Sequence, residues 1–163
     1  NSRHFYNQLK GEVDRSTRYS HPLTMLILDI DHFKDYNDRY GHLEGDKVLL
    51  RLGQVIKILL RKMDSAYRYG GEEFTIILPE TDSEEALTVA QRIRKAIKEI
   101  VFIPAPGEST SITISIGMTA YNPPEDLATF IQRADKALYG SKEGGRDRVS
   151  ALLGPAQTDP DIS

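Results

Sequence analysis

At 163 residues, 39% hydrophobic and 28% charged, the chain has the size and balance of one globular domain with a real core. A net charge of -3 leaves no electrostatic footprint for nucleic acid, and the absence of cysteine excludes disulfides and thiolate metal sites. No apolar run approaches the roughly 20 residues that cross a bilayer, and no signal-peptide pattern opens the chain. The expectation is a cytoplasmic domain with no nucleic-acid or membrane contact of its own. A phosphate-bearing ligand would have to be met by a few local cations and a metal ion.

Phe5, Leu9 and Val13 stand at helical spacing and predict an amphipathic helix at the start. Leu23 to Ile30 is an almost unbroken apolar run closing on an acid, the pattern of a buried central strand. Lys47 to Leu60 puts Val48, Leu49, Leu52, Val55, Ile56 and Leu59 on one helical face, with Asp46 placed as its N-cap. Tyr67 to Leu78 reads as two short extended pieces around Gly70-Gly71, a hairpin. Thr81 with Glu84, or Asp82 with Glu85, supplies a cap for the next helix, which buries Ala86, Ala90, Ile93, Ile97 and Ile100. Ile112, Ile114 and Ile116 alternate with Thr113, Ser115 and Gly117, as in a half-buried strand. After Pro123-Pro124 a last helix turns Leu127, Phe130, Ile131, Ala134 and Leu138 inward, and Arg148-Val149 adds a short edge strand. Residues 1–150 are thus expected to form the domain, and 151–163 a polar, disordered tail. The order helix, strand, helix, hairpin, helix, strand, helix predicts an α+β fold whose sheet is antiparallel at its central hairpin.

Chemistry concentrates in the acids. Asp29 and Asp31 lie where the first strand runs out, and Glu72 and Glu73 follow Gly70-Gly71 at the hairpin. With the hairpin beside the first strand, these carboxylates converge at one end of the sheet, a hard-oxygen site suited to Mg²⁺ and phosphates. The glycines permit a tight turn with positive φ and close approach of a phosphate or base. A bare Gly-Gly-Glu-Glu is equally compatible with an ordinary hairpin carrying solvated acids.

The stretch Arg68-Tyr69-Gly70-Gly71-Glu72-Glu73-Phe74 resembles the signature of the GGDEF family of diguanylate cyclases, in its GGEEF form. Asp29-Ile30-Asp31-His32-Phe33-Lys34, Asn37-Asp38, Gly41-His42 and Gly45-Asp46 resemble the same family upstream. Downstream, so do Ile114-Ser115-Ile116-Gly117, Arg133-Ala134-Asp135, Ala137-Leu138-Tyr139, Lys142 and Gly145-Arg146. The resemblance implies a ferredoxin-like core akin to the palm of polymerases and class III adenylyl cyclases. It also implies a homodimer, each half holding one GTP, that makes cyclic di-GMP and two pyrophosphates with two Mg²⁺ (or Mn²⁺) per active site.

Carried onto this sequence, the resemblance implies that Asp29 and Glu72 hold magnesium together with the Ile30 carbonyl. Glu73 is either a ligand of a second metal or the base for the 3′-hydroxyl. Asn37 and Asp46 match the guanine readers; a carboxylate accepts from the N1–H and exocyclic amine that adenine lacks. His42 stands in the same loop, Phe33 walls the pocket, and Arg68, Gly70 and Gly71 border it. Lys34, Lys142 and Arg146 match phosphate-contacting cations. Arg61 and Asp64 resemble an Arg-x-x-Asp product-inhibition motif, completed by Arg92. The resemblance further implies a catalytic fragment of a larger bacterial signalling protein, itself membrane-anchored or not, whose input module would control pairing. The competing expectation is a receptor domain that binds GTP or cyclic di-GMP without turnover. An adenine-using enzyme is opposed by Asp46.

Overall fold

The structure is a computed structural model describing residues 2–154. In chain order its elements are α1 (Ser2–Tyr19), β1 (Leu23–Ile30), α2 (Phe33–Tyr40), α3 (His42–Leu59), β2 (Ser65–Arg68) and β3 (Glu73–Pro79). They continue with α4 (Ser83–Lys98), β4 (Phe102–Ala105), β5 (Glu108–Thr110), β6 (Ile114–Ala120), α5 (Leu127–Glu143) and β7 (Arg148–Ala151). Five strands form one sheet in the order β2-β3-β1-β6-β7, antiparallel except for the β6–β7 pair. The spatial order β2-β3-β1-β6 is that of a ferredoxin-like βαββαβ core.

Side chains alternate across a strand, and here both faces are covered. Leu26, Leu28 and Ile30 of β1, with Ile76 and Leu78 of β3, pack under α3 and α4. Leu23, Met25 and Ile27, with Ile77, pack under Phe5, Leu9 and Val13 of α1 and Phe130, Ala134 and Leu138 of α5. This explains why β6 is buried at every position rather than on alternate ones as expected. Its small polar face, Ser115, Gly117 and Thr119, lies under α5. A Cβ added at Gly117 would sit 2.5 Å from the Ala134 carbonyl oxygen and closer still to the Leu138 nitrogen. Glycine therefore sets how near α5 comes to the sheet.

Three local expectations are corrected, and one that was left open is resolved. Helix α3 starts at His42, with Gly41 (φ 94°) before it, so Asp46 lies inside the helix and is not its N-cap. His42 and Asp46 belong to the wall of a cleft and Leu43 is exposed, which is why the apolar periodicity begins only later. The cap of α4 is the Asp82–Glu85 box, with Glu85 N donating to Asp82 Oδ1 at 2.9 Å and Asp82 N to Glu85 Oε1 at 3.2 Å. Helix α4 ends at Lys98, which leaves Ile100 in the loop beyond it, half-buried. Helix α2 and the β4–β5 hairpin were not expected from the sequence; both are short and present few residues to the core.

Strand β7 runs to Ala151, and Leu152 N donates to Met118 O at 3.0 Å, so the fold passes residue 150. The rest of the expected tail, from residue 155, lies outside the described residues. Among the described residues no helix is long and apolar enough to cross a membrane. Because backbone, not a flexible side chain, faces Gly117, Gly117→Ala should cost on the order of 3 kcal/mol in urea denaturation. A loss below about 1 kcal/mol would contradict the packing described.

Candidate active site

The end of β1 sets the site. Asp29 has the same parity as Leu23, Met25 and Ile27, so its side chain points to the α5 side, and Glu73 is its cross-strand partner in register. The Ile30 nitrogen donates to the Glu72 carbonyl at 3.3 Å, and Tyr69 N to Glu73 O at 2.7 Å, which ties the signature turn to the sheet. Gly70 takes the left-handed φ of 85°, and Arg68 Nε donates to Gly71 O at 3.1 Å across the turn. Tyr69 is anchored from outside: its hydroxyl pairs with that of Tyr6 at 3.2 Å and its ring lies against Phe5.

From α5, Lys142 Nζ reaches Asp29 Oδ2 at 2.6 Å. The carboxylates crowd one another. Burial first, then Asp135 and Asp29, push Glu73 up to about 7 against the opposing pull of Lys142. Glu72 is also raised, by burial and then by Asp29. Asp135, at the rim two helical turns before Lys142, is raised by desolvation, again against Lys142. Asp31 does not join them. It is buried and accepts from Thr113 Oγ1 and Ser115 Oγ, both at 2.6 Å, and from Asp147 N at 3.0 Å. Of the four acids expected to converge, three do, and the fourth pins loops to the sheet.

Above the acids lies an open cleft of about 470 Å³. Asp29, Glu72, Glu73, Gly70, Gly71 and Arg68 form one side of it, and Phe33, Asn37, His42 and Asp46 of α2 and α3 form the other. Asn37 Oδ1 is buried without a hydrogen-bond partner, and a Cβ at Gly45 would overlap it. The oxygen packs against Gly45 while the residue lines the cleft, so a turn of the side chain would present its unpaired amide to a ligand's polar edge. Leu49 and Tyr69 also line the cleft and were not singled out from the sequence. Nor was a role foreseen for Asp135, although its seven-residue spacing from Lys142 places both on one face of a helix.

Other expected site residues stand apart. Lys34 is exposed and held by Asp38 at 3.0 Å, and Arg146 is exposed in a left-handed loop (φ 63°). Neither lines the cleft. Among the described residues no three acidic or histidine side chains stand in a ready-made ligand arrangement. The donor chemistry nevertheless fits a hard divalent cation, since the acids are oxygen donors held together at a cost that a cation relieves.

A second cleft, of about 530 Å³, opens between the end of α3 and β2 and is lined by Lys57, Arg61, Lys62, Asp64 and Arg68 among others. Asp64 already accepts from three donors of Arg61: its main-chain N at 2.8 Å, Nε at 3.2 Å and Nη2 at 3.0 Å. Arg61 Nη2 also donates to Pro79 O and Thr81 Oγ1. Arg92 is exposed on α4 and is not part of this lining.

A βαββαβ sheet with an acidic Gly-Gly turn at its central edge has known counterparts. The family model for the diguanylate cyclase, GGDEF domain, matches residues 1–148, and the chain belongs to that family. Diguanylate cyclase A of Treponema denticola is 45% identical over 139 residues, covering 85% of this chain and 37% of its own length. The solved GGDEF domain of DgcB from Caulobacter crescentus, in complex with c-di-GMP, superposes with a TM-score of 0.86 at 35% identity, over 90% of this chain and 87% of that one. The active GGEEF domain of a diguanylate cyclase from Vibrio cholerae gives a TM-score of 0.81 at 33% identity, over 86% and 89% of the two chains. The chain spans about a third of the length of the curated relatives it matches.

The crowding at Glu73 has a measurable consequence. The folded chain holds this proton to about pH 7, whereas an unfolded Glu releases it near 4.5, so stability falls as pH rises through that window. In the presence of a chelator, Glu73→Gln should raise the melting temperature at pH 8 by about 2–4 °C, or about 1 kcal/mol after allowance for partial exposure. The gain should fade as pH drops and vanish below about pH 4.5, where both states come to carry the proton. A loss of stability at pH 8 would show that the carboxylate is not strained.

Proposed function

We propose that this domain is a diguanylate cyclase that condenses two GTP molecules into cyclic di-GMP with release of two pyrophosphates. The observation that carries the reading is a cleft with two unlike poles. One pole is the strained acid set Asp29, Glu72 and Glu73; the other is the unpaired Asn37 amide beside Asp46. The first suits a metal-bound triphosphate and the second the edge of a guanine, whose paired donors a carboxylate accepts. The relatives named as diguanylate cyclases, and a neighbour crystallised with c-di-GMP, support the same substrate class.

Asp29 and Glu72, with the Ile30 carbonyl, would hold magnesium, and Glu73 would serve a second ion if it is not the base. When bound, the metal neutralises phosphate charge and lowers the pKa of the attacking hydroxyl. Gly70 and Gly71 let the nucleotide lie against the backbone of the turn. His42 and Phe33 close the guanine side, while Arg68 and Lys142 supply cations for phosphates; Lys34 and Arg146, outside the cleft lining, would have to swing in to do the same. Glu73, held near neutrality, is suited to take the proton from the 3′-hydroxyl as it attacks the α-phosphorus of the facing nucleotide. That favours the base role for Glu73 over a purely ligating one. A second attack, from the opposite half, closes the ring. Each cleft has one guanine pole, so turnover requires two copies facing each other.

The Arg61–Asp64 cleft is the counterpart of a product-inhibition site. Asp64 and Arg61 are engaged with each other, so the half-exposed Arg61 side chain offers a ligand the face of its guanidinium, with Arg92 exposed on the neighbouring helix.

Incubating the domain with GTP and Mg²⁺ over a wide protein range, with mass-spectrometric identification, tests the proposal. Cyclic di-GMP should form with a steeper than linear dependence on protein concentration. No product at any concentration, even with pairing forced by a fused coiled coil, would leave a receptor domain as the better reading. Asp46→Ala should lower kcat/KM for GTP by about 10–100-fold, the worth of one or two charged hydrogen bonds, with the melting temperature little changed. An unchanged preference for GTP over ATP would remove Asp46 from base selection.

A further inference from the structure

We infer that Lys142 is a displaceable counter-ion of the acid cluster: its ammonium holds Asp29 in the nucleotide-free domain, and a nucleotide's phosphates draw it away as a divalent cation takes its place. The inference rests on the metal-and-nucleotide reading above and adds how the two ligands become coupled.

Four carboxylates, those of Asp29, Glu72, Glu73 and Asp135, share one neighbourhood. Among the described residues Lys142 is the one basic group bonded to any of them. The Asp29 side chain is 8% exposed, whereas that of Lys142 is 35% exposed, so the acid is fixed and the lysine has solvent to move into. Its helix cannot move with it, because α5 is seated on Gly117 at backbone contact. Displacement is therefore a side-chain rotation about a four-carbon stem. With the ammonium at 2.6 Å from Oδ2, that oxygen is occupied.

A metal arriving alone must break this ion pair and leave the lysine to water. A metal arriving with a polyphosphate gives the ammonium a more highly charged partner beside the same carboxylate. The two ligands therefore strengthen each other, and by linkage the factor is the same in both directions.

The test uses Mn²⁺ as the probe, its free concentration read by electron paramagnetic resonance, with and without 3′-deoxy-GTP, which cannot attack. In the wild type Mn²⁺ alone should bind weakly, and the nucleotide should strengthen it at least tenfold. Lys142→Met, with Lys142→Gln as a second variant should the first fold poorly, should bind Mn²⁺ alone about tenfold more tightly, and the nucleotide-induced gain should shrink by a similar factor. Lys136→Met removes an exposed charge from the same helix and should change neither value. Unchanged or weaker Mn²⁺ binding in both Lys142 variants overturns the inference, as does an equal effect from Lys136→Met, which would mean general charge alone. If Asp29→Asn binds Mn²⁺ as well as the wild type, the failure lies in the metal-site reading itself.

Discussion

Everything at the site depends on the two-sided burial of β1. All eight of its residues are buried, with three helices and the start of the chain packed against its faces, so its direction and register have no freedom to slip. Alternation then decides that Asp29 faces α5 and that Glu73 stands opposite it. A one-residue shift would bury the acid under α3 and α4 among Leu49, Leu52 and Ile56. The precision of the acid cluster is thus inherited from a hydrophobic core several residues away.

Holding such acids together opposes stability, and the surrounding contacts offset it. Asp31 turns three donors from β6 and the β7 approach onto one carboxylate, while Asp147 is gripped by Arg94 at 2.8 Å and Lys98 at 2.6 Å. These bonds fix the left-handed Arg146-Asp147 loop beside the last turn of α5. On the other side, Phe5 and Tyr6 of α1 hold Tyr67 and Tyr69, which carry the signature turn. The turn is therefore braced by the first helix as well as by its own hairpin. Any displacement of α1 would be felt one residue before Gly70.

The central strand, the hairpin, the α4 and α5 faces and the acids of the cleft were legible because each leaves a local trace, while its guanine side was read only through the family resemblance. Apolar periodicity marks packed faces, Gly-Gly marks a turn, and acids at strand ends mark a hard-cation site. The start of α3, the existence of α2 and the β4–β5 hairpin left no such trace, since residues facing a cleft or solvent carry no apolar period. Leu49 and Tyr69 were hidden for the opposite reason: each reads as ordinary core or strand until the cleft is formed around it.

By itself the sequence determined the α+β order of elements, which follows from spacing along the chain, and the family, through the resemblance of its ordered motifs; that resemblance in turn implied which side chains could meet a nucleotide. The resemblance singled out Asp29 over Asp31, but spacing alone gave no physical reason to prefer one of two identical acids two residues apart. Tertiary structure supplied the reason, placing one beside Lys142 and Glu73 and closing the other under Thr113 and Ser115. It also took Asp46 from cap to cleft wall. Each of these outcomes depends on contacts between residues distant in the chain or on which way a helix face turns, and neither is written in local spacing.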